Sequence, residues 1–334
     1  MKRSAPKSKS SQIELAITGA KKKIRGKTAL KDFSGFARQY YDKVPPADLA
    51  GESPENLLGA ALNHWELAAK RKPGTAKVRV YNPNVRANGW SSSHTIIEIV
   101  NDDMPFLVDS IVAELNRLKL TIHLVIHPQY EVERAKDGRL ADLVAVAKAT
   151  KSSISESFMQ LQVTQQSGKR LDEIRDRVKV VVNDVRSTVE DWLAMRQRMS
   201  MIVDELIVAP KRVARDESDE AREFLEWVHN DHFTFLGYRE YDYPAKGKSS
   251  SILVNRKSGL GVLRDPKAVV FHELRDVSAM PRGVRRIIEH GDLVMVTKSN
   301  AKSTVHRPVH MDSIGIKKYD KVGNIIGQRI FVGL

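Results

Sequence analysis

Hydrophobic residues recur along this chain with two spacings, and each spacing predicts a different kind of element. Steps of three and four residues predict helices over residues 58–68, 107–118 and 171–189. Alternation of apolar and polar positions predicts strands over residues 94–100, 121–127 and 157–163. A further strand begins at Gln129, so the central order is strand, helix, strand, strand, helix. We therefore expect a chain of the α+β class.

Helical patterns precede this central region. Residues 1–27 are expected to form a basic tail that is disordered or partly helical, and residues 28–75 a helical layer. Within that layer, Ser53 can cap a helix that has Pro54 at its first position. The change to strand alternation then marks the start of an α+β module, which we expect over residues 76–209.

Two helical segments are expected after the helix at 171–189. The first runs from Thr188 to about Val208, and five of its residues are spaced for burial: Trp192, Met195, Met199, Ile202 and Leu206. Pro210 and a charged run mark a domain boundary, after which Ser218 is expected to cap a helix that ends near Val228.

Strand patterns dominate the last hundred residues. They cover residues 233–243, 293–298, 303–320 and 324–334. Lys321-Val322-Gly323 joins the last two as a hairpin turn. Residues 216–334 are thus predicted to form a mainly antiparallel sheet domain. Because Leu334 falls within an apolar strand pattern, we expect the sequence to be truncated there and to be a fragment of a longer chain.

The run NDDMPFLVDSI (101–111) resembles a stretch in the large bacterial NAD-specific glutamate dehydrogenases. The resemblance continues through five further stretches: FARQYYDKVPPADL, GTAKVRVYNP, FLEWVHNDHFTFLGYREYD, SGLGVLRD and STVHRPVHMDSIGIKKYD. It covers nearly the whole chain from about Phe33 to Leu334. In that family the N-terminal part carries ACT-type and other sensory or structural modules, and the dehydrogenase domain lies far downstream. The resemblance therefore implies a piece of an enzyme without its chemistry.

An ACT module is a ferredoxin-like βαββαβ sandwich, and the central region matches five of its six elements in order. The final strand is missing after the last helix. Either another segment supplies it, for example the short strand at Val78–Tyr81, or the module is incomplete. For residues 216–334, a PAS/GAF-like domain and a second ACT-like domain are both compatible with the strand pattern.

The segment Asn101–Pro105 is the candidate ligand site of the module. Acidic and amide side chains before a proline are a helix-start signal, and helix-start N–H groups can hold a small anion. The candidate effector-binding residues are Asn101, Asp102, Asp103, Met104 and Pro105. Backbone N–H groups would bind the carboxylate of an amino acid, and Asp102 or Asp103 would pair with its ammonium group. An ordinary capped strand–helix junction is the alternative.

One position in this segment departs from the ACT pattern. ACT domains commonly carry a glycine after the acidic residue and the proline, where the backbone approaches the bound amino acid. Here Phe106 follows Pro105, and its side chain could fill the space that an effector needs. This departure favours a degenerate ACT module that is used for packing.

The net charge of +14 at first suggests a nucleic-acid-binding protein. Ten Lys or Arg residues lie within residues 1–31 against one acid, Glu14, which leaves only +5 for the other 303 residues. A basic, serine-rich tail is usually a solvated segment. We therefore expect neither nucleic acid nor a membrane as a partner, and no apolar run is long enough to span a bilayer.

Several candidate sites are rejected on chemical grounds. Gly259-Leu260-Gly261 begins like a dinucleotide fingerprint, but Arg264 stands where the third small residue is required. The chain has no cysteine, and its histidine pairs are spaced too far apart along strands to share one metal ion. No Ser-His-Asp or paired-carboxylate arrangement stands out, so we assign no catalytic, cofactor-binding or metal-binding residue.

The resemblance implies the N-terminal regulatory and assembly portion of a NAD-specific glutamate dehydrogenase, and we expect it in the cytoplasm. The reaction implied for the parent enzyme is L-glutamate + NAD + water to 2-oxoglutarate + ammonium + NADH. NAD is the parent's cofactor, and this chain would hold none. Expected partners are its own downstream catalytic region, other subunits of a homo-oligomer and a small amino-acid effector. The alternative is a stand-alone amino-acid-sensing module or a purely structural oligomerisation module.

Overall fold

The computed structural model describes residues 8–145, 149–243, 253–268 and 291–334. Contacts divide the chain into two compact units. The first unit comprises the residues up to 104 together with 111–180, and the second comprises 105–110 together with 181–334. Each unit is built around its own β-sheet.

The first unit contains a sheet whose strands follow one another in the order β1-β2-β6-β4-β5, with β3 also paired to β6. Their bounds are β1 (Lys77–Tyr81), β2 (His94–Asp102), β3 (Ile122–Ile126), β4 (Gln129–Arg134), β5 (Leu140–Val144) and β6 (Ile154–Thr164). Residues 141–153 give no clear sequence signal, yet β5 forms there because it pairs along β4. All of the pairings in this sheet are antiparallel.

The core of this sheet is a split βαβ unit. Strands β2 and β3 are both antiparallel to β6, so they are parallel to each other with β6 between them, and α6 (Leu107–Arg117) connects them. Strand β1 pairs along the outer side of β2, with Lys77 opposite Val100 and Tyr81 opposite Ile96. Of the two alternatives for the final strand of the module, the structure therefore supports the first, in which the segment near Val78–Tyr81 supplies it.

The N-terminal helices cover one face of this sheet. They are α1 (Lys9–Ala20), α2 (Lys27–Asp42), α3 (Pro46–Leu49) and α4 (Pro54–Ala68), and α5 (Val85–Asn88) follows β1. Helix α4 begins as predicted, since the Ser53 hydroxyl accepts from the Asn56 N–H at 3.1 Å. Phe36 of α2 stacks on Tyr130 of β4 and contacts Phe158 of β6, which joins the helical layer to the sheet.

Helix α7 (Lys169–Glu205) is continuous over 37 residues, where the sequence pattern suggested two segments. Met195, Met199, Ile202 and Leu206 are buried as predicted. The burial predicted for Trp192 is wrong, because its side chain is 41% exposed and lies beside the guanidinium of Arg196, 5.1 Å from the ring centre. None of the helices in the described ranges is long and apolar enough to cross a membrane.

In the second unit, α8 (Arg215–Trp227) follows α7 and continues into one π-helical turn (Val228–His232). The prediction that Ser218 caps α8 is wrong. Ala214 occupies the cap position, and the Ser218 side chain is buried in the first turn, where it donates to the Leu206 carbonyl at 3.3 Å. The hydroxyl therefore ties α8 to the end of α7 instead of closing the helix.

The sheet of the second unit has five antiparallel strands in the order β8-β7-β11-β10-β9. Their bounds are β7 (Phe235–Asp242), β8 (Leu253–Gly261), β9 (Val294–Lys302), β10 (His310–Tyr319) and β11 (Ile325–Gly333). Residues 303–309 form a bend and not the first part of a strand as predicted. The turn predicted at 321–323 is confirmed, with Gly323 at φ 89° and the Asp320 carboxylate accepting from the Val322 N–H.

This second sheet differs in topology from the first. Strands that are consecutive in the chain lie side by side in three pairs: β7 with β8, β9 with β10, and β10 with β11. A ferredoxin-like module separates its first two strands by a third. The described strands of the second unit therefore favour the PAS/GAF-like alternative over a second ACT-like domain.

Candidate effector site

The segment predicted to start a helix instead ends a strand. Asn101 and Asp102 belong to β2, opposite Ser157 and Glu156 of β6, and α6 begins only at Leu107. The prediction that these side chains cap the helix is therefore wrong. Pairing along β6 takes the backbone of both residues into the sheet, and this pairing prevails over their local preference for a cap.

The side chains of Asn101 and Asp102 have structural partners. Asn101 is buried, and its side-chain amide donates to the Asp102 carbonyl at 2.9 Å. The Asp102 carboxylate accepts from the guanidinium of Arg71 at 2.7 Å and from the Gly74 N–H at 2.8 Å. Both residues therefore hold the end of β2 in place.

Asp103 lies where the sheet ends. Its N–H donates to the Ser155 carbonyl at 2.8 Å, and its carboxylate accepts from the Gln129 side-chain amide at 2.9 Å. Met104 is half-buried, and Pro105 is exposed. Of the five candidate residues, Asp103 is the one that the structure connects to residues lining a cavity.

Phe106 adopts a backbone conformation that favours glycine. Its φ is 69°, in the left-handed region that is costly for a side chain with a Cβ. The sequence places Phe106 where ACT domains commonly carry glycine, and the backbone here takes the conformation that glycine would adopt freely. The aromatic ring packs against the imidazole of His306, with ring centres 4.9 Å apart.

A cavity of about 390 Å³ lies between the end of α2 and the bend from β3 to β4. This volume is within the range typical of small-molecule sites. Val44, Val125 and Ile126 supply its apolar wall. Gln39, Tyr40, Asp42, Lys43, His127, Pro128, Gln129, Glu131 and Ser155 complete the lining. The Gln39 side chain donates to the Gln129 carbonyl at 2.5 Å and so ties α2 to β4.

Three charged groups in the lining have no partner among the residues that the structure describes. The side chains of Asp42, Lys43 and Glu131 make no hydrogen bond or ion pair within the described residues. Asp42 and Lys43 are exposed, and Glu131 is half-buried. An unpaired ammonium and two unpaired carboxylates around one cavity provide complementary charges for a small zwitterion.

His127 adds a neutral polar group to the cavity. Its Nε2 lies 2.5 Å from the Ser157 hydroxyl. Burial lowers the pKa of the imidazole below its usual value, the Asp103 carboxylate opposes that shift, and the charge of Lys43 adds to it. His127 is thus held uncharged near neutral pH, with one nitrogen bound to Ser157.

Sequence reasoning missed most of this cavity. Its lining comes from residues 39–44, residues 125–131 and Ser155, which lie far apart in the sequence. The one local signal is the break between β3 and β4 at His127-Pro128. No group of three or more His, Asp or Glu side chains in the described parts of the chain is arranged to hold a metal ion.

The split βαβ core and the added edge strand give the first unit the strand order of an ACT-type module. Residues 36–178 match the family described as "Glutamate dehydrogenase, ACT1 domain". The first unit is thus similar to a domain of the glutamate dehydrogenases, which confirms the resemblance found in the sequence.

Curated relatives agree with this assignment. The chain is 33% identical over 301 residues to the "NAD-specific glutamate dehydrogenase" of Halomonas elongata, with 90% of this chain and 18% of the relative covered. Identity to the protein of the same name from Pseudomonas aeruginosa is 31% over 310 residues, covering 92% and 19%. The Mycobacterium tuberculosis protein of that name is 23% identical over 285 residues, covering 84% and 16%. The chain thus spans about a fifth of the length of these relatives.

Proposed function

We propose that this chain is the N-terminal regulatory and assembly portion of a NAD-specific glutamate dehydrogenase. The observation that carries the proposal is the ACT1 match over residues 36–178, on a unit whose strand order is that of an ACT-type module. The parent enzyme would oxidise L-glutamate to 2-oxoglutarate with NAD in a separate catalytic region. This chain would contact that region and the other subunits, and it would respond to an amino acid.

The amino acid would bind at the end of the sheet. Lys43 would pair with its carboxylate, and Asp42 or Glu131 with its ammonium group, because these charged groups have no partner in the described protein. Asp103 would contribute through Gln129, whose side-chain amide it already binds at 2.9 Å. Of the original candidates, Asn101 and Asp102 support this site from the strand.

A thermal-shift panel of amino acids, NAD and NADH on the purified chain tests the proposal, followed by calorimetry of each hit. A ligand that binds the folded state raises the melting temperature by mass action. We expect one amino acid or a few to raise it, and NAD and NADH to leave it unchanged. Lys43→Ala and Glu131→Gln should each weaken binding at least tenfold.

Two control variants make the test specific. Lys70→Ala removes an exposed lysine that lies outside the cavity lining and should leave binding unchanged. Asp103→Ala should weaken binding less than Lys43→Ala, since Asp103 acts through Gln129. Binding that none of the cavity variants alters would refute the effector site, while a shift from NAD alone would refute the regulatory assignment.

Sedimentation of the same protein distinguishes the structural alternative. Oligomers without any amino-acid response would leave assembly as the role of this chain. In the complete parent enzyme, the effector should change the rate of glutamate-dependent NADH formation. Lys43→Ala should abolish that response and leave the basal rate unchanged. A basal rate that falls with binding intact would instead place this residue in the catalytic path.

A further inference from the structure

A group of charged side chains extends across four neighbouring strands of the first sheet, β1, β2, β6 and β4. Three arginines take part, and each binds a carboxylate on β2 or β6. Arg79 binds Glu98 with donor–acceptor distances of 2.8 and 2.5 Å. Arg71 binds Asp102 at 2.7 Å and Glu156 at 2.6 Å, and Arg134 binds Glu156 at 2.6 and 2.7 Å.

These contacts use all three carboxylates. The other oxygen of Glu98 accepts from the Tyr81 hydroxyl at 3.0 Å, and the other oxygen of Asp102 accepts from the Gly74 N–H at 2.8 Å. Both oxygens of Glu156 are taken by Arg134. Every oxygen of the three carboxylates thus already has a donor, and three arginines face three acids.

Lys77 is a further cation beside this group. It opens β1, the edge strand, opposite Val100, and alternation along the strand places its side chain on the same side as Arg79. Within the described residues it makes no hydrogen bond and no ion pair. The side chain is half-buried, so the ammonium loses hydration without gaining a partner while a path to solvent remains.

The charge balance of the group disfavours this ammonium. With Lys77 protonated, four cations face three carboxylates, and with Lys77 neutral the charges balance. Burial lowers the pKa of Lys77, and the like charges of Arg134 and Arg79 lower it further. The neutral amine is the nucleophilic form, so a larger fraction of Lys77 is reactive near neutral pH than of an exposed lysine.

We propose that Lys77 is an acylation site, which accepts an acyl group from an activated donor such as an acyl phosphate. The neutral Nζ attacks the acyl carbon and forms an N–C bond, and the bond from that carbon to the phosphate oxygen breaks. Inorganic phosphate leaves with the electron pair, and the nitrogen gives its extra proton to solvent. The amide product is uncharged, so the reaction removes the one cation of the group that has no counterpart.

Acetyl phosphate is the probe for this proposal. The purified chain is treated with it at a series of pH values, and the acetylation rate of each lysine is measured by quantitative mass spectrometry. Lys70 and Lys72 serve as internal controls, since they lie close by in sequence and are more exposed. We expect Lys77 to react at least threefold faster than either control at pH 7.5. As the pH is raised, its rate should reach a plateau at a lower pH than the rates of the controls.

Two variants check the assignment. Lys77→Arg should abolish the fast-reacting peptide and leave the other lysines unchanged. Arg79→Gln frees the Glu98 carboxylate and removes a neighbouring cation, so it should slow Lys77 severalfold in a protein whose circular dichroism shows it folded. Acetylation of Lys77 that is slower than that of the controls, or that follows the same pH profile, would overturn the proposal.

A stability measurement gives a second readout that needs no reagent. Lys77→Gln mimics the acylated side chain and should raise the melting temperature by a few degrees at pH 7. Because folding lowers the pKa of this lysine, its destabilising effect is full below the folded pKa and vanishes above the unfolded one. The gain should therefore shrink as the pH rises, and Lys70→Gln should show none. A lower melting temperature for Lys77→Gln at pH 7 would contradict the charge argument.

Discussion

The strands of the two sheets differ in the residues found where packing is closest: buried carboxylates in the first sheet and glycines in the second. The described strands of the first unit contain no glycine, and two of them carry carboxylates that are fully buried, Glu98 and Glu156. The described strands of the second unit contain six glycines: Gly237, Gly259, Gly261, Gly315, Gly327 and Gly333. At most of these positions an added Cβ would collide with a carbonyl oxygen of a neighbouring segment.

This difference separates two sources of stability. The buried acids of the first unit are compensated by arginines, so the integrity of that sheet depends on charge pairing. The second unit brings backbones together so closely that only glycine fits, and its buried Arg239 donates to the carbonyls of Leu263, Asp265 and Ala268 in a nearby loop. Charge variants should therefore affect the first unit most, and steric variants the second.

The largest effect is expected from Glu156→Gln. Both arginines that this carboxylate binds are almost fully buried, and the substitution leaves Arg134 without its anion and Arg71 with Asp102 alone. Breaking such a pair costs about 3–5 kcal/mol of unfolding free energy. Chemical denaturation measures the loss. The matched control is Glu14→Gln, which breaks an exposed pair with Arg38 and should leave the denaturation midpoint unchanged. Equal effects of the two variants would contradict the role of buried pairing.

The next effect is a loss of stability in acid caused by His64. This imidazole is fully buried, with Nδ1 2.9 Å from the Tyr40 hydroxyl and Nε2 3.2 Å from the Ile99 carbonyl. Burial lowers the pKa of His64 to about 3. The neutral form is thus favoured by folding, and its stabilising effect is full above the unfolded pKa and declines as the pH falls towards the folded one.

Between pH 6.5 and 4.5 the protein should lose about 2 kcal/mol of unfolding free energy through this residue. The measurement is urea denaturation over that range. His64→Gln keeps a donor and an acceptor and should flatten the profile, while His310→Gln on the exposed face of the second sheet should not change it. If the unfolding free energy of His64→Gln still falls steeply between pH 6.5 and 4.5, other groups cause the acid sensitivity.

A smaller loss is expected from Gly261→Ala in the second unit. Gly261 has φ 59°, and an added Cβ would collide with the Leu236 carbonyl. We expect a cost of about 2 kcal/mol from backbone strain and displacement of the strand. Hydrogen exchange should show the loss in β7 and β8 and not in the first sheet. Uniform loss of protection in both sheets would argue against independent units.

The smallest effect, of opposite sign, is expected from Gly35→Ala in α2. Gly35 is exposed inside a helix, and nothing lies within 4 Å of an added Cβ. Alanine should stabilise the first unit by about 0.5–1 kcal/mol, because it restricts the unfolded chain. Thermal unfolding measures the gain. No change, or a loss, would mean that α2 does not unfold with the sheet that it covers.

Local signals made much of the fold predictable. Ser53 with Pro54 marked the start of α4, and Gly323 marked the last turn, because each acts within a few residues of itself. Periodicity also predicted most strands of the first unit, and the resemblance to an ACT module suggested Val78–Tyr81 as one candidate for its final strand. The glycines of Gly259-Leu260-Gly261, which suggested a cofactor motif, have a steric explanation in the strand packing.

Long-range contacts limited the rest. Ser218 and Asn101–Asp102 carry cap-forming side chains, but a neighbouring helix end and a partner strand use those groups in other ways. The cavity could not be predicted either, because Lys43 and Glu131 come together only when α2 packs on β4. The unpaired state of a charge is a property of the whole fold, and no spacing in the sequence reports it.

The position of β1 makes the first unit a circular permutant of the ferredoxin-like module. The strand that comes last in a βαββαβ chain comes first here, as β1, and residues 82–93 connect it to β2. The chain consequently leaves the module through a helix and does not return to the sheet edge. Because no strand has to follow, this helix can extend beyond the sheet. Helix α7 has 37 residues in all, which corresponds to about 56 Å of uninterrupted helix. The last element of the permuted module is therefore a long helix and not an edge strand.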